Sequence, residues 1–523
     1  MRVVRPWLFM ACAWLIIPRG ISAVEPETVL VGGTIYDGSG RPGHVGDVAV
    51  RGDKIIAVGK VEAGKDAKRI DCHGLAICPG FIDLHTHSDT GIVGATGKQN
   101  KNYIVQGVTT IVTGNCGSGP IDVKTFYDRI DRQGAGSNVA HQVPHNDVRE
   151  KAMGNANRAP TANELKTMIE LTEKAMTDGC WGLSTGLIYT PGTYAKIDEL
   201  IELAKVTSRY KGHYASHIRN EGGGLLDAIQ EAITIGEKSG CPVHVSHIKA
   251  SGRAASGMSI QAIVLIESAR SRGQKVTADQ YPYVASSTSL KATLISSRYR
   301  DGTAAEYTAR FTDPVIGPKL RADIEKALVE REGGQLIQIA RYSKHSSWQG
   351  KRLSEIAANE RKPVTEIVIE IETNGGAQVV NFAMTEDDVR TYMRRPWVAT
   401  ASDGGVQSPG DTVPHPRSYG TFPRKIGRYA IGEGILPIEQ AIRSSTGLPA
   451  DIMRFRDRGY LKAGQYADIV VFDPNTYRDT ATYDKPHQYA VGVKWVFVNG
   501  QTTVRDGVHQ PQVLAGKALR HKP

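Results

Sequence analysis

The sequence predicts an α/β protein, a (β/α)8 barrel joined to a second β domain assembled from both ends of the chain. Three observations predict it. Eight strand-like segments run through residues 80–402, mostly separated by stretches of helical periodicity. Outside them, both arms of the chain are short β-rich runs broken by turn residues. Residues able to hold a metal or move a proton fall at the ends of the eight segments, where a parallel barrel keeps its chemistry.

The 523 residues, 40% hydrophobic and 23% charged, suffice for one barrel and a smaller domain and exclude a disordered chain. The formal net charge of +10 is spread along the chain with no basic stripe interleaved with aromatics, so no nucleic-acid partner is expected. Residues 1–23 read as a secretory signal: Arg2 and Arg5 precede an apolar run over 7–17, followed by Gly20, Ser22 and Ala23. The run is short for a membrane span, and Cys12 lies inside it, away from the end where a lipidation site belongs. The expectation is an exported protein, periplasmic or secreted, with no stable membrane association after signal removal.

Strands are expected at 28–31, 48–50 and 55–58, broken by Gly32-Gly33, Asp37-Gly38 and Gly52-Asp53. The far end repeats this at 467–472 and 493–498, with turns at 473–475 and Asn499-Gly500. Residues 24–79 and 455–510 are therefore assigned to one composite domain, with 511–523 as a tail. The barrel takes 80–454, its strands at 80–87, 108–116, 138–145, 182–189, 213–218, 243–248, 276–281 and 398–402. Helical spacing is clear at Ile197, Leu200, Ile201 and Ala204, and at Leu226, Ile229 and Ile233. Residues 286–396 form an insertion before the last barrel strand, with helices near 321–329 and 364–372 and a strand near 335–340; it is expected to overhang the barrel mouth as a lid or to form a surface subdomain.

Cys72, Cys78, Cys116, Cys180 and Cys241 remain beyond the signal, an odd number that makes no disulfide framework. One bridge, Cys72 to Cys78 across a hairpin, is compatible with an oxidising compartment.

The i, i+2 spacing of His85 and His87 sends both imidazoles to one face of an extended chain. Cys116 ends the second segment, His217 lies late on the fifth, His247 ends the sixth and Asp403 follows the eighth. Thiol and imidazoles converging at one end of a barrel suit zinc. Zinc polarises a carbonyl and supplies hydroxide near neutral pH, and Asp403 is placed to take a proton and pass it on. No serine-nucleophile signature or phosphate-cradling glycine loop competes.

Several stretches carry a resemblance to a known family: PGFIDLHTHSD (79–89), TGNCG (113–117), LSTGLIYTPG (183–192), SHIRNEG (216–222), SHIK (246–249), YPYVASST (281–288), ASDG (401–404) and HPRSYGTFPR (415–424). On these the chain resembles the amidohydrolase superfamily and, within it, the N-acyl-D-amino-acid deacylases, or D-aminoacylases. The resemblance implies a TIM barrel with a flanking β-sandwich, one tight Zn2+ held by Cys116, His217 and His247, and room for a second, weaker metal at His85 and His87. Cys116 takes the place of the bridging carboxylated lysine of many superfamily members. His145 follows proline where the family often has Gly-His, which leaves it outside the ligand set.

The expected reaction is hydrolysis of N-acyl-D-amino acids, or of dipeptides with a D residue at the carboxyl end, to a carboxylic acid and a free D-amino acid. An anionic substrate needs fixed donors, and Lys249, Tyr281 (or Tyr283, one alternation away), Ser287 and Arg417 are the candidates. The alternatives are a cyclic-amide hydrolase of the hydantoinase or dihydropyrimidinase kind, a deaminase on the same scaffold, or a barrel that binds without catalysis. Oligomeric state is not legible in the sequence.

Overall fold

A computed structural model describes residues 25–62 and 64–522; the expected signal of residues 1–23 lies outside them. Phe81–Asp83, Val108–Thr113 and Asn138–His141 pair in parallel, and Val143–Pro144, Gly182–Gly186, His213–His217, Val243–Val245, Val276–Gln280 and Val398–Thr400 form a second parallel run. The third predicted strand crosses from one run to the other at Gln142, and a bridge from Thr86 to Gly404 joins first to last. Eight strands thus close into the expected barrel, with helices such as Ile197–Arg209 and Leu225–Ser239 outside. Leu200, Ile201, Leu203 and Ala204 form the buried face of the first of these helices, as their spacing requires.

Several strands stop short of their predicted ends, so the candidate ligands of the first, second and sixth strands lie in strand-end loops and not on the ladder. At the second and sixth strands the cause is backbone conformation. Cys116 (φ 53°), His247 (φ 36°) and Asp403 (φ 49°) are all left-handed, which no β ladder accommodates.

The two chain arms meet in one nine-stranded sheet, where Ile469–Phe472 pairs antiparallel with Ala76–Pro79. Side-chain alternation divides its contacts. Ile469 and Val471 join Leu30, Val48, Ile77 and Trp495 in a core of their own, whereas Val470 and Phe472 join the barrel core. The tail returns to the opposite end of the barrel from the candidate ligands, with bridges from Gly516 to Ala135 and from Ala518 to Val139.

The insertion contains the expected helices, as Ile316–Val329 and Val364–Thr373, and the expected strand, as Ile337–Arg341. It builds a three-stranded antiparallel sheet in the order Ser286–Ser289, Gln378–Asn381, Ile337–Arg341 over a separate core that includes Ile324, Trp348 and Ile367. All five cysteines among the described residues are free and buried, so the Cys72–Cys78 bridge is not formed. Cys72 instead donates to the Ile70 carbonyl, and burial pushes its thiol up to about 12.

Candidate metal centre and active site

The second strand ends in a loop that only glycine-rich sequence can make. Gly114 (φ 77°) and Gly117 (φ 76°) flank Cys116, and a Cβ on Gly117 would lie 2.2 Å from Asn146 Oδ1. The Asn115 side chain ties the loop down, donating to the Val112 carbonyl at 3.0 Å and accepting from Gln142 Nε2 at 2.7 Å. The result is a thiol turned into the strand ends. Cys116 Sγ lies 3.3 Å from His85 Nε2, 3.5 Å from His217 Nδ1 and 3.4 Å from His247 Nε2.

Those separations fit a metal. Zinc–sulfur and zinc–nitrogen bonds of about 2.3 and 2.0–2.1 Å at a tetrahedral angle place ligand atoms about 3.5 Å apart. Charge agrees with distance. Burial pushes the Cys116 thiol well above its ordinary value, and Asp403 adds to the rise; burial likewise lowers His85 to about 4 against the pull of Asp279, and holds His217 well below its usual value. Buried uncharged donors crowded on one point suit a divalent cation, which also favours the thiolate.

Carboxylates behind the histidines set which nitrogen faces the cluster. Asp279 accepts from His244 Nε2 at 2.8 Å and from the His247 backbone N–H at 2.8 Å, and lies 3.4 Å from His85 Nδ1, leaving His85 Nε2 toward the thiol. Glu221 Oε1 lies 3.0 Å from His247 Nδ1 and 3.7 Å from His217 Nε2, the edges that face away from Cys116. Neither residue was singled out from the sequence. Each carried a signal: Glu221 follows His217 by four positions, and Asp279 is a lone acid in a buried strand.

Asp403 completes the group. His85, Cys116, His247 and Asp403 present donor atoms all within 4.8 Å of one another, as do His217, Glu221 and His247. Asp403 Oδ1 is 3.0 Å from His87 Nε2, and Oδ2 accepts from Arg417 at 2.7 Å. Burial alone would raise this carboxyl, but Arg417, His247 and the first-strand histidines hold it well below the usual range. His87 is the outermost of the set, its side chain 40% exposed.

The substrate-side candidates divide. Arg417 and Ser287 line a cavity of about 780 Å³ that also exposes His87, Cys116 and Asp403. Lys249 is buried behind it, its Nζ donating to Glu221 at 2.5 Å and lying 2.6 Å from His247 Nδ1. Tyr281 stands between the two cations, its ring 4.8 Å from the Arg417 guanidinium and 5.5 Å from Lys249 Nζ, whereas Tyr283 packs under Arg424. His145 is elsewhere, buried against Glu199 at 2.9 Å.

A barrel with thiol, imidazole and carboxylate groups at its strand ends defines the class of barrel enzymes that work through a metal held at that face. Residues 68–504 match the amidohydrolase family, and the chain belongs to it. A D-aminoacylase of Alcaligenes xylosoxydans xylosoxydans is 36% identical over 519 residues, covering 94% of this chain and 98% of its own. A solved D-aminoacylase with a binuclear metal centre, in which one metal activates and the second attenuates, matches with a TM-score of 0.81 at 32% identity, over 95% of this chain and 100% of its own. An N-acyl-D-glutamate deacylase of Bordetella bronchiseptica, complexed with zinc and a phosphonate mimic of the tetrahedral intermediate, gives 0.80 and 32% over the same shares. D-hydantoinase shares the fold alone, with a TM-score of 0.57 at 14% identity.

Proposed function

We propose that this protein hydrolyses N-acyl-D-amino acids, or dipeptides with a D residue at the carboxyl end, to a carboxylic acid and a free D-amino acid. The observation that carries the reading is one cavity that exposes Cys116, Asp403 and Arg417 together, with three imidazole nitrogens within 3.5 Å of the thiol behind it. Cys116, His217 and His247 would hold one tight zinc, and His85 and His87 would offer a weaker second site. A zinc ion there would supply Lewis-acid polarisation of the amide carbonyl and hydroxide near neutral pH.

The protein's own groups do the rest. Asp403, kept ionised by Arg417, accepts a proton and returns it to the amide nitrogen as the C–N bond breaks, so that water is divided between the acid and the amine. Arg417 and Ser287 hold the substrate carboxylate from the cavity wall, with Tyr281 and Lys249 supporting them from beneath. Fixing carboxylate and scissile amide together leaves one hand of the α-carbon in register.

Zinc-loaded protein should cleave N-acyl-D-amino acids or L,D-dipeptides and spare their L and L,L counterparts. Turnover confined to hydantoins or aminopurines would establish the cyclic-amide hydrolase or deaminase reading instead, and a protein that retains no metal and cleaves nothing would be a binding protein. Amidating the substrate carboxylate tests the clamp, since equal cleavage of acid and amide removes it. Export by residues 1–23 to the periplasm or medium belongs to the same proposal and rests on the sequence pattern; amino-terminal sequencing of protein recovered outside the cytoplasm tests it.

A further inference from the structure

The insertion sheet brings a polar row to the cavity. Gln378 is the cross-strand partner of Ser289 on one side and of Arg341 on the other, and all three line the cavity that exposes Cys116 and Asp403. The register shifts between Ile339 and Arg341, and all three side chains reach the same cavity. Among the described residues Arg341 has no carboxylate partner, whereas the other guanidinium of the cavity, Arg417, pairs with Asp403 through one of its nitrogens at 2.7 Å. The acids of the cavity besides Asp403 are Asp147 and Glu150, on the helix His145–Met153 that follows the third strand. The insertion follows the seventh strand and reaches over the mouth to the loop after the fourth, where the Thr288 hydroxyl lies 2.9 Å from that of Tyr189. Asp147 is engaged by the Gly119 N–H at 2.6 Å.

The cavity thus carries a cation, Arg341, on the insertion sheet and two acids, Asp147 and Glu150, on the helix after the third strand. A negative group carried by the substrate is repelled from the helix side and drawn to the insertion side. The strand that carries Ser287 continues to Ser289, and from there the sheet runs through Gln378 to Arg341. Resting on the deacylase reading above, we propose that Arg341 is a specificity-determining residue. It selects D residues with an acidic side chain, and Gln378 and Ser289 support the same carboxylate. Arg341 is solvent-accessible, so the attraction is subject to screening by salt.

The test compares N-acetyl-D-glutamate, N-acetyl-D-glutamine and N-acetyl-D-leucine on zinc-loaded wild type, Arg341→Met and Arg341→Lys. Wild type should favour glutamate over the isosteric glutamine by about tenfold or more in kcat/KM, mostly through KM, as expected of one guanidinium–carboxylate pair. The ratio should collapse toward one in Arg341→Met, recover in part in Arg341→Lys, and shrink in wild type as salt is raised. A wild type that favours leucine or glutamine, or a glutamate preference untouched in Arg341→Met, overturns the inference while leaving the deacylase reading intact. Failure to cleave any of the three, with no turnover of other N-acyl-D-amino acids, overturns both.

Discussion

Two buried clusters in this protein use the same kinds of residue and do different things. Around Cys116, three imidazoles and a carboxylate crowd one point; around Glu199, His145 and Arg149 do the same, at 2.9 and 2.5 Å, with the Arg149 side chain also donating to the Arg158 carbonyl at 2.6 Å. The second cluster is closed: histidine and arginine both give protons to one carboxylate, and none of the three residues lines a described cavity. In the first, a thiol and nitrogen lone pairs face one another, Cys116, His247 and Asp403 are held at positive φ, and a cavity opens onto them. Burial and residue type do not separate chemistry from architecture. Donors that lack mutual protons, strained backbone and access do.

Removing a donor from the first cluster is the strongest way to test that contrast. Cys116→Ala and His217→Ala should each lose the tight zinc and nearly all turnover, because each deletes one ligand from a site of about four. Elemental analysis beside a deacylation assay decides it, and normal zinc with normal turnover in either variant would erase the distinction.

Asp403→Asn should separate binding from proton transfer within the same cluster. Zinc content should stay close to wild type while kcat falls by about 10²- to 10⁴-fold. Turnover equal to wild type would reduce Asp403 to a residue that terminates the eighth strand.

The closed cluster should respond in stability and not in chemistry. Arg149→Met leaves a buried carboxylate without its cation and is expected to cost about 3–5 kcal/mol of folding free energy, with zinc content unaffected. Burial tends to raise the Glu199 carboxyl, but His145 and Arg149 outweigh it and lower it from the ordinary 4.5. Its contribution is therefore present above pH 4.5 and fades as pH falls through the lowered value, so the stability gap between wild type and Glu199→Gln should narrow in acid. Denaturant titrations across that range would show a constant gap if the pair were electrostatically idle.

The smallest of these effects belongs to the support of the metal histidines. Glu221→Gln keeps the shape but weakens the acceptor facing His217 and His247, and should lower zinc affinity by about 10- to 100-fold. Competition with a chelator measures it, and unchanged affinity would place Glu221 with the structural acids.

Much of the fold was written locally. Strand and helix periodicities placed the eight barrel strands and the insertion's helices, because alternation of two and a period of 3.6 are properties of neighbouring residues. The arms required one inference beyond pattern, that chain ends meet, and the pairing of residues 76–79 with 469–472 supplies it. The pattern overruns the ends of the second and sixth strands, since side-chain alternation does not record the left-handed turns at Cys116 and His247.

The sequence by itself determined which groups stand at the mouth of the barrel. His85, His87, Cys116, His217, His247 and Asp403 follow from strand order and position along each strand, which are local facts repeated eight times. Tertiary structure alone decided which charge answers which. His85 meets Asp279 across 194 positions and His87 meets Asp403 across 316, while Lys249, legible as a donor for the substrate carboxylate, is bound to Glu221 and set behind the cavity. The physical reason is range: periodicity is settled by the next few residues, whereas a buried charge takes the partner that closure of the whole ring brings within about 3 Å.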